Sequence, residues 1–551
     1  MAKAGIKVRG EWLKMYKTLH TWVGICSGLL LFVGFFAGAL TMFEEPLQRW
    51  ANPPQDNLRP ASEMAAAELG QLVDTVLQQH PAARKDMTVH LQDGSPAPVV
   101  WHEGPFSRDI DLQASEFQAS LDAQGQLQVR QYVPGQLAEL IDQLHRSAGI
   151  PGDVGHDVLG VYLMGVAAFL YSLALVSGLV LVLPAIVRDF LVLRPEKSNK
   201  RFWLDAHNLI GITSLPFHLV IALTVVVFAF HDVFYDSMAE LVYGEQPMFG
   251  GRGGAPASSY SIEALPPFNE ILQGIEAEAP GFGIKSVDLF NLESARPAAR
   301  VALSTDDFVT RGAREGYLVL NPYTGEVTNR NIVPGQEDVW SGLVATFFGI
   351  HFGSFGGLTM KWLYFLLGIS GAFVFYSGNL LWTESRRKKL QQAQPHRRRF
   401  HSVTVMRALT NGVCLGVIAA VAAAMVVAKS AGLFAAVSSE LLSTGSVGQG
   451  AVNQWLVTTY YVVFLGWLLW AWLRRMSPAR NAIEMLVATA LVIWLIPACG
   501  LLWLLLGHTQ MSMLSLAVEM TALVGGAGLM FWAQVLRRKQ VDAADTVLAA
   551  G

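Results

Sequence analysis

Charged residues and cysteines are both scarce in this chain of 551 residues. Only 15% of its residues are charged and 52% are hydrophobic, whereas about a quarter of the residues in soluble proteins are charged. This composition excludes an ordinary soluble domain. The three cysteines, Cys26, Cys414 and Cys499, fall inside apolar runs, so the more polar segments have neither a disulfide framework nor a thiolate metal site. The net charge of −3 gives no indication of a nucleic-acid partner.

Nucleotide-binding motifs are also lacking. No Gly-x-Gly-x-x-Gly follows a strand-like run and opens a helix, which excludes a built-in NAD or flavin domain of the common kind. No ATP-binding motif is present either. If the protein carries out redox chemistry, we expect its electrons to come from a separate donor.

Long apolar runs are what the sequence has in place of charge. Each is long enough to cross about 30 Å of hydrocarbon, which predicts about eight transmembrane helices. The runs cover residues 21–43, 157–185, 204–230, 357–382, 405–428, 455–473, 482–506 and 513–536. Lysine and arginine cluster in the short connections and at the termini, which by the positive-inside rule places both termini in the cytoplasm. The first run lacks a cleavage site and is expected to remain as an anchor.

Two long segments, at about residues 44–156 and 231–356, then lie outside the membrane. Each predicts a small α+β domain, because a stretch with helical periodicity precedes several short runs of alternating polarity. The helical stretches are Ala61–His80 and Ser261–Glu278. The expected fold is therefore a polytopic α-helical membrane protein with two outer α+β domains and a C-terminal module of four helices.

Three histidines share the pattern His-x-x-x-Gly-Ile, namely His20, His145 and His207. Residues four apart lie on the same helix face, so each histidine would have a patch without side chains one turn away. A flat porphyrin needs such a patch, because its ring must lie close to the backbone beside the ligand. The repeat therefore predicts heme binding.

Depth in the membrane sorts the histidines into two layers. His20 and His207 begin their helices on the cytoplasmic side, whereas His145 and His351 lie near the outer ends of helices 2 and 4. Two histidine pairs would hold two six-coordinate b-type hemes, one near each face. At a rise of about 1.5 Å per residue, a spanning helix separates the layers by some tens of ångströms. The pattern favours a transmembrane electron conduit.

Several alternatives remain open at this point. A single histidine at a membrane interface is commonly a solvated flanking residue. His218, about three turns into helix 3, could be a ligand, a proton relay or a hydrogen-bonded core group. His156 and His231 compete with His145 for the outer layer. Arg146 could pair with a heme propionate or extend to the interface as many flanking arginines do.

Certain motifs occur in a fixed order with these histidines. They are Leu19-His20 with residues 38–41, Leu144-His145 with residues 177–179, residues 205–207 with Gly211, residues 351–353 with residues 377–382, and the outer segment 321–327 (Asn-Pro-Tyr-Thr-Gly-Glu-Val). In these features, over about residues 10–390, the chain resembles the PepSY-associated transmembrane proteins, also called iron-regulated membrane proteins.

The resemblance implies an inner-membrane protein of Gram-negative bacteria that reduces ferric siderophores in the periplasm with two b hemes. His20, His145, His207 and His351 match the recurring histidines of the family, which implies that they bind heme iron. The four extra C-terminal helices are similar to the longer reductases linked to pyoverdine-type uptake. The implied division is 1–43 (N-terminus and first helix), 44–156 (first PepSY-like domain), 157–230 (second and third helices), 231–356 (second PepSY-like domain), 357–390 (fourth helix) and 391–551 (C-terminal module).

The expected reaction moves an electron from a quinol or a cytoplasmic reductase through the inner heme and the outer heme to a ferric siderophore. Reduction releases iron because Fe(II) fits hard oxygen donors less well than Fe(III) does. Siderophore-handling proteins of the periplasm are further expected partners. Two rival hypotheses are a non-catalytic PepSY-bearing assembly or regulatory subunit and a transporter subunit for iron or siderophore. Against the transporter hypothesis, the sequence has no ATP-binding motif and no cluster of intramembrane carboxylates. Glu484 and Glu519 are isolated candidates.

Overall fold

The protein is mostly helical and has the helices of a multi-pass membrane protein. The computed structural model describes residues 9–52, 58–92, 97–102, 115–122, 124–155, 157–185, 192–194, 198–238, 240–241, 258–305, 307–310, 312, 315–394, 400–441, 449–505 and 513–549. Among these, seven helices are long and apolar enough to cross a membrane, or eight if one bent pair forms a single span. This agrees with the about eight helices that the apolar runs predict.

The helices of the N-terminal two thirds alternate between long apolar spans and short helices outside them. In chain order they are α1 (Gly10–Thr41), α2 (Glu44–Ala51), α3 (Ala66–Gln79), α4 (Leu137–Ser147), α5 (Leu159–Val182), α6 (Asn199–Thr213), α7 (Leu215–Met238), α8 (Phe268–Glu278), α9 (Val339–Phe352) and α10 (Gly357–Ala393). Helices α1, α5 and α10 are candidate spans, and α6 with α7 forms the bent pair.

The third predicted span is broken in its first half. The sequence predicts one helix over 204–230, but α6 and α7 meet at an angle of 72°. Pro216 lies at the start of α7. Proline has no N–H to donate and disfavours helical conformation in the residue before it, which accounts for the break. His207 and His218 are therefore on different helices.

The two segments outside the membrane share a single sheet. Each contributes a helix and four of its strands, which run in the order β10-β9-β8-β7-β1-β2-β3-β4. The strands are β1 (Asp86–His90), β2 (Val99–His102), β3 (Glu116–Leu121), β4 (Leu127–Tyr132), β7 (Gly283–Phe290), β8 (Ala298–Ser304), β9 (Gly316–Leu320) and β10 (Val327–Asn329). A separate short hairpin joins β5 (Asp153–Val154) to β6 (Asp157–Val158).

The expectation of two separate α+β domains is thereby corrected. Strands β1 and β7, the first strands of their halves, pair antiparallel over five residues. Val89 and Val287 are partners in this pair, and both are buried under α3 and α8 in one common core. An unpaired β1 or β7 would leave an apolar strand edge open to solvent, so joining the halves removes both edges at once.

The C-terminal module consists of four long helices. They are α11 (His401–Leu441), α12 (Gln449–Leu473), α13 (Pro478–Leu505) and α14 (Met513–Ala549). The sequence predicts a separate module, but its first helix, α11, packs against the N-terminal membrane helices. Cys414 and Val417 of α11 are buried in the same core as Leu31 and Phe35 of α1.

Candidate functional site

His20 on α1 and His207 on α6 lie opposite each other, with ring centres 6.1 Å apart. We call them the far-side pair. The Nδ1 atom of His20 lies 2.8 Å from the carbonyl oxygen of Ala174 on α5, and that of His207 lies 3.1 Å from the carbonyl oxygen of Val374 on α10. A carbonyl can only accept, so Nδ1 carries the proton in both rings and Nε2 keeps its lone pair for a metal.

His145 on α4 and His351 on α9 form a second pair, with ring centres 6.3 Å apart. We call them the sheet-side pair. The Nδ1 atom of His145 donates to the carbonyl oxygen of Gly34, at 2.8 Å. That of His351 lies 2.7 Å from Oγ1 of Thr224. This hydroxyl already donates its proton to the carbonyl of Val220, so it accepts from the ring, and again Nε2 is the free nitrogen.

Three of the four paired histidines, His20, His145 and His207, bond to a backbone carbonyl of a neighbouring helix. Each of these rings also packs on a glycine of that neighbouring helix. The glycine lies four residues after the carbonyl, hence one turn further on the same face. These sets are Ala174 and Gly178 for His20, Gly34 and Gly38 for His145, and Val374 and Gly378 for His207. A methyl group on these glycines would lie 2.9, 2.6 and 3.3 Å, respectively, from Cε1 of the ring. Glycine therefore lets each ring lie directly on a helix backbone.

The distances within both pairs suit one metal ion between two imidazoles. A metal–imidazole bond is about 2.0 Å long, and a ring nitrogen lies about 1.1 Å from its ring centre, so two imidazoles on opposite sides of one ion have centres about 6.2 Å apart. Among the described residues, no group of three or more histidine, cysteine, aspartate or glutamate side chains could hold a metal ion. Among the described residues, each pair therefore offers two side-chain ligands of these types to such an ion.

The glycine of the repeat His-x-x-x-Gly-Ile has different surroundings at its three occurrences. A methyl group on Gly24 or on Gly211 would meet nothing within 4 Å, so the predicted patch is present beside both histidines of the far-side pair. It is absent beside His145, where the prediction is wrong. Helix α4 ends before Gly149, which has a φ of +72°, and a methyl group there would lie 2.8 Å from Leu144.

A cavity of about 1100 Å³ adjoins the sheet-side pair. Ligand pockets usually measure about 300–1,000 Å³, so this cavity has room for a large cofactor. Its inner walls are apolar side chains of α1, α5, α7 and α9. Its polar wall includes the charged residues Glu44, Asp142, Arg146, Glu315 and Lys361. Arg146 lines this wall and donates through Nε to Asp142 at 2.9 Å.

The cavity reaches from the membrane helices to the extramembrane sheet. Tyr317 of β9 lies in its wall and donates to Glu315 at 3.0 Å. Burial, together with the Glu315 carboxylate, raises the pKa of Tyr317 above its ordinary value, so its side chain is a neutral phenol at physiological pH. On the same face of the sheet, Arg300 lies over the Tyr317 ring and pairs with Asp288 at 2.9 Å. A polar sheet face thus borders the cavity that the sheet-side pair also lines.

His218 lies between the two pairs and has no histidine opposite it among the described residues. It is 1% exposed, its Nδ1 lies 2.5 Å from the Tyr171 hydroxyl, and its Nε2 has no hydrogen-bond partner in the described part of the chain. On α10, His218 contacts Gly371. This glycine lies between Gly368, which lines the cavity, and Val374, whose carbonyl bonds His207. His218 is therefore a core residue that is hydrogen-bonded through Nδ1 alone among the described residues.

His231 and His156 are the other histidines that compete with His145 for the outer layer. His231, near the end of α7, also borders the cavity, and its Nδ1 lies 2.7 Å from the carbonyl of Phe228 one turn earlier. His156 lies outside the described residues. The structure therefore brings together the same four histidines that the sequence selects. What sequence reasoning missed is the supporting set, that is, the carbonyls, the glycines beneath the rings and Thr224.

The distance between the two pairs can be measured along α1. His20 and the contacts of His145, at Gly34 and Gly38, are 14 to 18 residues apart on this helix. At about 1.5 Å per residue this is about 21–27 Å. The pairs therefore lie at opposite ends of one membrane-spanning helix.

Comparison with known families identifies the region that contains all four histidines. Residues 17–385 match the PepSY-associated TM region. The chain belongs to the PepSY-associated transmembrane family. This match confirms the resemblance drawn from the motifs at the level of the family. No curated protein matches the chain. The PepSY-associated region ends within α10, so the C-terminal helices α11–α14 lie beyond it.

Proposed function

We propose that this PepSY-associated protein transfers electrons across a membrane through two b-type hemes and reduces a ferric siderophore on the side of the sheet. The observation that carries the proposal is the geometry of the two histidine pairs. Ring centres 6.1 and 6.3 Å apart fit two ligands of one iron, and no third protein ligand accompanies either pair among the described residues. A porphyrin supplies the four remaining nitrogens.

His20 and His207 would hold one heme, and His145 and His351 the other. When bound, each heme supplies a one-electron Fe(III)/Fe(II) couple. The chain orients the four imidazoles through Nδ1, so that Nε2 is presented as the ligand and the ring does not rotate. Apolar side chains of α1, α5, α7 and α9 surround the sheet-side pair, and the polarity around a heme is one way in which a protein tunes its potential.

The wall of the cavity nearest the sheet is the proposed place for the substrate. It combines cations, carboxylates and the Tyr317 hydroxyl within one cavity that also contains the sheet-side pair. A ferric siderophore bound here would accept one electron and become the ferrous complex. Its hard oxygen donors hold Fe(II) less tightly than Fe(III), so iron would leave without destruction of the siderophore.

The proposed location is the bacterial inner membrane, with both termini cytoplasmic and the sheet in the periplasm. The lysine and arginine clusters of the short connections support this orientation. The far-side pair would then face the cytoplasm, where a quinol or a cytoplasmic reductase donates the electron. Periplasmic siderophore-handling proteins would deliver the substrate or remove the released iron.

The visible spectrum of the detergent-purified protein tests this function. We expect a Soret band, a reduced α-band and about two hemes per chain by the pyridine hemochrome assay. Replacing any one of the four histidines by alanine should remove one heme, whereas His231→Ala, which leaves both pairs intact, should retain two. A folded but colourless protein would sink the proposal and favour a non-catalytic assembly or regulatory subunit.

A further inference from the structure

Helix α12 of the C-terminal module lies against α4, the short helix that carries His145. Asn453 and Tyr460 of α12 are each 1% exposed. Tyr460 belongs to one buried core with Leu140, Ile141 and Leu144 of α4. The contact is therefore a packed interface between the PepSY-associated region and the module beyond it.

Asn453 binds the chain where α4 begins. Its Oδ1 accepts from the backbone N–H of Gln136, at 2.8 Å, and its Nδ2 donates to the carbonyl of Pro134, at 2.9 Å. Gln136 is the residue that precedes the first turn of α4, and its own side chain does not cap the helix. A single side chain of α12 thus satisfies one donor and one acceptor at the entrance to α4.

Tyr461 binds the chain where α4 has ended. Its hydroxyl donates to the carbonyl of Gly149, at 2.8 Å. The chain reverses here through two residues with positive φ, Ala148 at 52° and Gly149 at 72°, and left-handed conformation is unfavourable for alanine. The Tyr461 hydrogen bond holds this strained turn in place. Asn453 and Tyr461 are eight residues apart, about 12 Å along α12, and so reach the two ends of α4.

We propose that the C-terminal module fixes the position of His145 by holding both ends of α4, with Asn453 and Tyr461 as its positioning residues. His20 belongs to a helix that crosses the membrane, whereas His145 belongs to an 11-residue helix outside the candidate spans. Such a short helix is not stable alone, and its direction depends on what it packs against. The α12 contacts hold the two ends of α4, and the Gly34 carbonyl holds the His145 ring that α4 carries.

Hydrogen exchange tests this role without reference to any cofactor. Tyr461→Phe and Asn453→Leu each remove hydrogen bonds to α4, and we expect amides of 137–149 to exchange about 5- to 100-fold faster. Thr489→Val is the matched control. It removes the partly buried hydrogen bond from Trp467 within the same module. Trp467 packs against a different hydrophobic cluster from that of α4, so exchange in 137–149 should stay unchanged. Asn453→Asp retains the acceptor for the Gln136 N–H and should give a smaller increase than Asn453→Leu.

A second measurement separates positioning from stability, and it rests on the proposed function. In a His20→Ala background only the sheet-side heme would remain, and Tyr461→Phe should then alter its low-spin ferric EPR signal. In the protein that keeps all four histidines, Tyr461→Phe should slow ferric-siderophore reduction roughly 3- to 10-fold. Thr489→Val should change neither. If exchange in 137–149 and the heme signals both match the control, the positioning role is wrong. If the protein binds no heme, the proposed function fails, and the exchange data alone decide the role of α12.

Discussion

The hydrogen bond from His351 to Thr224 offers the sharpest test of the ligand geometry. Thr224→Val keeps the shape of the side chain but removes the oxygen that accepts from Nδ1, at 2.7 Å. The exposed fraction of Thr224 is 0%, so water does not replace the lost acceptor. A buried donor left without a partner costs about 1–3 kcal/mol, and the ring is free to rotate away from its ligand position.

The expected effect on heme affinity follows directly. Because about 1.4 kcal/mol is a factor of ten in a binding constant, Thr224→Val should weaken heme binding at the sheet-side pair by about 5- to 150-fold. Loss of a partner behind a ligating histidine typically has an effect of about 10- to 100-fold. Heme retained after dilution and repeated washing should fall from two per chain toward one, as measured by pyridine hemochrome.

Thr213→Val is the matched control for this change. Thr213 is exposed, and its hydroxyl donates only to carbonyls of its own helix, at Leu209 and Ile210. This variant should keep both hemes with wild-type affinity. If Thr224→Val behaves like Thr213→Val, the orientation of His351 by Thr224 is irrelevant to the site, and the reasoning from Nδ1 to a free Nε2 fails.

Three further predictions concern the far-side pair, the central histidine and the start of α4. Gly24→Leu fills space beside His20 that is open in the protein alone and should reduce the heme content of the far-side pair. Gly466→Leu also adds a side chain in open space and should leave the heme content unchanged. Equal heme contents in the two variants would contradict the idea that a heme lies on the patch at Gly24. His218→Leu should keep two hemes by hemochrome assay, and a loss of one would make His218 a ligand. Burial, with three neighbouring carboxylates, raises the pKa of Glu139 to about 7. The native state therefore binds the proton more tightly, and the free energy of unfolding should fall, on the order of 1–3 kcal/mol, as pH rises from about 4.5 to 7. Glu139→Gln should remove this dependence in thermal melts, and an unchanged pH profile would exclude the group.

Most of the membrane fold could be predicted from the sequence, because the length of an apolar run is a direct physical requirement for crossing hydrocarbon. The bend at the third span was missed, although Pro216 marks it, because an apolar run continues through the break. The shared sheet was missed for a different reason. Pairing of β1 with β7 joins residues about 200 positions apart, and alternation within each strand says only that it pairs, not with which strand.

The four histidines could be selected from the sequence, but the reason for selecting them was partly wrong. The repeat His-x-x-x-Gly-Ile was interpreted as one helix face at every occurrence. It is so at His20 and His207, while α4 ends between His145 and Gly149. The periodicity of the sequence does not mark this helix end. The end depends on the left-handed conformation of the turn and on a hydrogen bond from Tyr461, which lies far away in the sequence.

The structural feature that unites the sites belongs to the neighbouring helix and not to the histidine's own motif. His20, His145 and His207 come from helices of different length. Each ring nevertheless lies on a glycine of a neighbouring helix and bonds the carbonyl four residues before that glycine. The helix that receives the ring therefore fixes its tautomer and its distance from the backbone, whichever element brings the histidine there. The ring of His145 is delivered by an 11-residue helix outside the candidate spans. Its position therefore depends on what holds that helix, and this is why we assign part of its support to the C-terminal module.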